Sequence, residues 1–132
     1  MKWSPLAFGF LSGKYRRGQP EPEGTRRSQL GDVATFDLEK GYDIVENLDA
    51  VAKAHDVTIA QAALNWLLRR PGVVSVVIGA RNEQQLRDNL SAAQWEITLD
   101  EMQRLNEVSA VPAIYPYWHQ RKYAAERIPP LG

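Results

Sequence analysis

The residues best suited to chemistry in this sequence lie between Gly79 and Asn89. There an apolar run, VVSVVI, stops at Gly79-Ala80, and Arg81, Gln85, Asp88 and Asn89 follow in a polar segment of helical spacing. A strand that ends in glycine ahead of a helix offers backbone N–H groups and the positive end of the helix dipole, which together favour an anion. Arg81 adds a planar fork that matches phosphate oxygens. Gln85 and Asn89 stand at i and i+4, so they share one helix face with Arg81 nearby. On spacing alone the same residues also suit a solvated helix face, with Asp88 a surface charge.

Composition narrows the alternatives. The 132 residues suffice for one domain with a core. Formal net charge is zero, so no global field draws the chain to nucleic acid or to an anionic membrane. The run of arginines at Arg16, Arg17, Arg26 and Arg27 is interleaved with Glu21 and Glu23, and the ones outside the candidate site read as plain solvated charges. There is no cysteine, which excludes disulfides and thiolate nucleophiles and fits a cytoplasmic protein. His55 and His119 lack metal-ligand spacing, so no metal site is expected. No apolar run approaches a membrane span, and the N-terminus does not read as a signal peptide.

The elements that must position these residues follow from periodicity. Pro5 steers Ser4 away from the helical region, so residues 2–6 read as short and extended. Gly9, Gly13 and Gly18 break the next segment into turns, and residues 19–37, rich in Pro, Gly, Glu and Arg, read as a long surface loop. A helix is expected from near Leu38 to near His55, with Ile44, Val45, Leu48, Val51 and Ala52 as its apolar stripe and His55 as its cap. Thr58 and Gln61 read as a capping box for a second helix, which carries Ile59, Ala63, Trp66 and Leu67 on one face and ends at Pro71-Gly72.

Residues 73–78 read as a buried strand. A third helix starts at Arg81 or Asn82 and reaches about Leu90, and residues 95–98 read as a short extended piece. Thr98 and Glu101 form a second capping box before a last helix lined by Leu99, Met102, Leu105 and Val108. Pro112 stops it, and an aromatic, basic tail packs irregularly. Helices between strands imply a parallel, right-handed crossover. Two strands and four helices do not make a sheet, however. The chain is therefore expected to be a piece of something larger, with its first strand clipped.

Two motifs carry a family resemblance. WSPLAFGFLSGKY resembles the seventh-strand segment of the aldo-keto reductases, and VVSVVIGARNEQQLRDNL is similar to that family's eighth strand and following helix. The tail YPYWHQRKYAAER resembles bacterial members of the branch that includes potassium-channel β subunits. The resemblance covers nearly the whole chain. It implies an α/β fold, the C-terminal part of a (β/α)8 TIM barrel, with residues 1–132 as a single partial, cofactor-binding domain.

The resemblance also implies roles for individual residues. Arg81 would contact the 2′-phosphate of NADP, while Gln85 and Asn89 bond the adenine edge; Gly79 and Ala80 form the turn beneath them, and Asp88 could reach the adenine amino group but reads first as a helix surface charge. Trp3 would stack on the nicotinamide. Ser4 and Leu6 would meet the pyrophosphate largely through backbone, with Pro5 and Ala7 in the same segment. Lys14 would neutralise the pyrophosphate, with Ser12 beside it in the cofactor loop, and Arg26, in EGTR, would fold over the cofactor.

The family's catalytic Asp, Tyr, Lys and His lie on earlier strands, all before WSPLA. No catalytic residue is therefore assigned, and the chain alone is expected to be inactive. Tyr15 with Lys14 matches the cofactor loop instead.

Two functions follow. One is the NADP-binding part of an oxidoreductase that moves hydride from NADPH to a small aldehyde or ketone. The other is a truncated, non-catalytic module that binds nucleotide or self-associates through open strand edges. On either reading a soluble chain is expected to be oligomeric or partly molten.

Overall fold

The computed structural model describes residues 4–20, 22–23 and 37–112. The expectations for Trp3, Arg26, most of the long loop and the aromatic tail lie outside them. Among these residues four α-helices follow a short 3₁₀ segment, Ala7–Ser12, kinked where Phe8 and Gly9 leave the helical region: α1 (Leu38–Ala54), α2 (Ile59–Leu68), α3 (Glu83–Ser91) and α4 (Leu99–Ser109).

Each α-helix starts where a side-chain oxygen can accept from an otherwise unpaired first-turn N–H. Asp37 accepts from Lys40 N for α1, Thr58 from Gln61 N for α2, Asn82 from Gln85 N for α3, and Thr98 from Glu101 N for α4. The Thr98–Glu101 capping box is complete. The Thr58–Gln61 box is only half formed, because the Gln61 amide donates at 2.7 Å to Asp88 on α3 rather than returning to its own N-cap.

The main core joins Leu48, Val51 and Ala52 of α1 to Ile59, Ala62 and Ala63 of α2 and Leu105 of α4. Helix α2 also touches the 3₁₀ helix and α3. With neighbours on several sides, every residue from Ile59 to Asn65 is buried, so α2 has no polar face over its first two turns, against the single apolar face expected from spacing. The last helix departs in the other direction: Leu99, expected in its apolar line, is 87% exposed at the first turn, whereas Leu105 is buried and Val108 packs against the core.

Two further expectations are corrected at the ends of this framework. Residues 73–78 form no strand and are not buried. Val76 is a single bridge residue, and Val74 is 88% exposed. A parallel strand needs ladder partners on both edges and cover on both faces, and the described residues give this segment neither. Ser4 is not extended either: its φ is +53, left-handed, and its hydroxyl accepts from Phe8 N. Proline at position 5 excludes the right-handed helical region for Ser4 but leaves the left-handed one open. Gly9, Gly13 and Gly18 do turn the chain, each at positive φ.

Polar ties complete the packing. Asn65, 0% exposed, donates from Nδ2 to the carbonyls of Ala92 and Trp95 at 2.7 Å each, and accepts from Ile97 N. It therefore pins the α3–α4 connection to α2. His55 ends α1 as expected, its backbone N–H donating to Val51 O. Its ring also meets Glu101 at 2.8 Å and stands against Trp95.

Burial pushes the Glu101 carboxyl up, but the bonds from His55 and from the Thr98 backbone and hydroxyl more than offset this, leaving it below the usual carboxylate range. A depressed folded pKa gives stability that is present above the unfolded value of about 4.3 and lost as pH falls through the folded one. Thermal stability is thus expected to fall on acidification below about pH 4.5. Glu101→Gln should flatten that slope in melts across this range. Asp49, lowered by Lys53 and Arg16, should retain part of it.

Candidate functional site

Between the 3₁₀ segment and the start of α3 lies a cavity of about 640 Å³. One wall comes from Ser4, Pro5, Leu6 and Ser12, and the opposite wall from Gly79, Ala80, Arg81, Gln85 and Asn89. Lys14 stands at both this cavity and an adjoining one of about 450 Å³, which it shares with Arg81, Gln85 and Asp88. The fold thus brings together, from two segments some 65 residues apart, ten of the residues singled out from the sequence, with Asp88 next door. Ala7 lies outside the lining, and Trp3 and Arg26 lie outside the described residues. Tyr15, matched to the cofactor loop beside Lys14, lines the cavity too, as do Phe8, Val77 and Ile78, which had no role assigned from the sequence. Their signal in the sequence was only apolar character, which does not separate a cleft wall from a core.

The backbone of the first wall is strained. Ser4, Ala7 and Phe8 all have positive φ, as does Gly9, and each such non-glycine residue costs on the order of 1 kcal/mol. Its N–H groups are largely occupied: Ala7 N donates to Ser4 O, Phe8 N to the Ser4 hydroxyl, and Gly9 N and Leu11 N to Leu6 O. The Ser12 hydroxyl donates to Gly9 O at 2.6 Å. This wall is therefore self-bonded, and what it shows the cavity is chiefly shape.

The second wall is held by its own caps and by α2. Gln85 accepts from Arg81 N at 2.8 Å while Gln85 N donates to Asn82, so the start of α3 is partly capped from within. Both Asp88 oxygens are engaged, one by the Thr58 hydroxyl at 2.9 Å and the other by the Gln61 amide. Asp88 is thus neither a free surface charge nor an idle carboxylate; it ties α3 to α2. Asn65 holds the other end of α3 through Ala92.

Asn89, between these two ties, is buried at 4% exposure, and its Nδ2 has no hydrogen-bond partner. A buried donor left unpaired costs about 1–3 kcal/mol, so the fold maintains an unmet donor at this cavity.

The cations sort in the same way. Arg16 pairs with Asp49, Arg17 with Glu39, Asp43 and Glu46, Arg69 with Glu96 and Arg87 with Glu83. Arg16 and Arg17 are therefore structural ion-pair partners of α1 rather than plain solvated charges. Among the described residues, Lys14 and Arg81 make no hydrogen bond or ion pair through their side chains, and both face the cleft. Two free cations beside a buried, unmet amide suit a ligand that carries phosphate and a flat polar group.

A sequence model of the Aldo/keto reductase family matches residues 1–110, and the chain belongs to that family. It is 31% identical over 111 residues to a putative voltage-gated potassium channel subunit beta of Schizosaccharomyces pombe, covering 80% of this chain and 32% of that protein. It is 32% identical over 117 residues to Protein tas of Escherichia coli (strain K12), covering 89% of this chain and 33% of that one. The chain thus spans about a third of the length of these curated relatives. Membership implies a (β/α)8 barrel. Among the described residues there are helices and no strand. No described helix is long and apolar enough to cross a membrane.

Proposed function

We propose that the chain is the NADP-binding portion of an aldo-keto reductase barrel that transfers hydride to an aldehyde or ketone. The observation that carries this reading is the unpaired, buried Asn89 Nδ2 on a cavity that also holds the free cations of Lys14 and Arg81. These residues fit the cofactor's chemistry. Arg81 offers a fork for the 2′-phosphate, Lys14 a point charge for the pyrophosphate, and Asn89 and Gln85 offer hydrogen bonds to the adenine edge. When bound, the cofactor supplies the hydride. The residues of this chain bind and orient it, and none is assigned a step in the transfer itself.

The test is a titration of the purified chain with NADPH, and with NADH beside it, followed by tryptophan fluorescence. Saturable quenching that favours NADPH is expected, and a folded chain that responds to neither nucleotide would refute the reading. Asn89→Leu sharpens the test. It removes the unmet donor at similar volume, so the free chain should melt at a higher temperature while NADPH binds about tenfold more weakly. A structural role for Asn89 predicts the reverse in the melt.

A further inference from the structure

Lys14 sits between two anchors. On one side Gly13, at φ +81, packs so closely on α2 that an added Cβ would lie 2.6 Å from Ile59 Cδ1. On the other, Tyr15 is buried with its ring 5.2 Å from that of Phe10. Beyond Tyr15 the next two residues grip α1: Arg16 pairs with Asp49 at 2.9 Å, and Arg17 spreads its guanidinium over Glu39, Asp43 at 2.6 Å and Glu46 at 3.3 Å. The Tyr42 ring lies 5.7 Å from the same guanidinium.

Glu39, Asp43 and Glu46 stand at i, i+4 and i+7, so they form one acidic stripe and repel one another when uncompensated. A single exposed pair contributes little. One planar fork that closes three acids at once is a different case, and a lysine ammonium cannot reproduce its geometry. Without Arg17 the stripe would be an intramolecular competitor for the unpaired ammonium three residues earlier.

We propose that Arg17 is a positioning residue of the anion site: by occupying Glu39, Asp43 and Glu46 it docks the turn after Lys14 on α1 and keeps the Lys14 ammonium free for a phosphate of the ligand. The proposal rests on the cofactor reading given above. It extends the site onto α1, which contributes nothing to the cavity lining. Arg17 acts only through Lys14, so its effect on affinity must vanish when Lys14 is gone.

The experiment is a double-mutant cycle on the full chain, with NADPH affinity measured by fluorescence for the wild type, Lys14→Ala, Arg17→Ala and the double variant, each checked for folding by circular dichroism. Lys14→Ala is expected to weaken binding about tenfold, as for one charge-assisted hydrogen bond. Arg17→Ala should weaken it about three- to tenfold, and the double variant should bind no more weakly than Lys14→Ala. Arg17→Lys, which keeps the charge and disturbs folding least, should recover part of the affinity of Arg17→Ala and have no effect in the Lys14→Ala background.

Equal losses in both backgrounds, or wild-type affinity in Arg17→Ala, would overturn the positioning role while leaving the cofactor reading intact; wild-type affinity in Lys14→Ala would overturn the positioning role and also remove Lys14 from the cofactor site. A folded wild-type chain that binds no NADPH would overturn both.

Discussion

Replacing Asn65 with leucine should destabilise the chain by roughly 2–5 kcal/mol, although leucine is similar in size and sits well in an apolar helix. The residue is fully buried, and its amide satisfies two main-chain carbonyls, of Ala92 and Trp95, and one main-chain N–H, of Ile97. Leucine strands the buried Ala92 carbonyl and the half-buried Ile97 N–H, and leaves the Trp95 carbonyl with only its bond from Arg69 at 3.3 Å. Each unmet group costs about 1–3 kcal/mol, partly recovered by the apolar side chain and by local relaxation. Asn65→Asp should also be severe, because it replaces the donating amide with a carboxylate facing two carbonyl oxygens. Denaturant titrations of the two variants against wild type check this. A shift of the Asn65→Leu midpoint equivalent to less than about 0.5 kcal/mol would mean that the α3–α4 connection is held by packing alone. Because the same connection fixes the C-terminal end of α3, the variant should also loosen the cleft wall that carries Asn89.

The second large effect concerns Arg81. Arg81→Ala should weaken NADPH binding about 10- to 100-fold, the range for charge-assisted bonds to a phosphate, while changing NADH affinity less than about twofold. The discrimination arises because the two nucleotides differ only in the 2′-phosphate. The fold should be unaffected. The Arg81 side chain is exposed and unpaired, and the bond that caps α3 at this point runs from its backbone N–H to Gln85, which alanine keeps. Arg81→Lys should recover part of the affinity and lose more of it as salt rises, since a point charge is screened and lacks the fork. Fluorescence titrations with both nucleotides at two ionic strengths separate these outcomes. An equal loss for NADPH and NADH would move Arg81 away from the 2′-phosphate.

The helices were legible from sequence because their signals are local. The Thr98-x-x-Glu101 pattern, the Asp37, Thr58 and Asn82 caps and the apolar stripe of α1 each depend on residues within a turn or two. The identity of the candidate site residues was legible for a different reason: two motifs matched a family. Their convergence on one cavity was a matter of the fold. Asn65 left a faint trace, as an amide in the middle of an apolar helix, a position that asparagine takes when it has backbone groups to satisfy. Glu101 was visible as a cap, but its burial against His55, 46 residues away, was not.

The expected strand at 73–78 failed because β-branched composition reports what a segment would do with partners, not whether partners are there. The same limit applies to charge. Arg17, Arg16, Lys14 and Arg81 are equivalent in composition, yet two are locked to α1 and two stand free at a cleft. What the sequence determined by itself was therefore the set of helices, their caps and the residue types available to an anion site, since those rest on spacing along one chain segment. Only the tertiary structure decided which cations stay unpaired, that Asp88 is bonded to α2, and that Asn89 is buried without a partner. Those states depend on groups tens of residues apart in sequence meeting in space, and for Asn89 on burial as well.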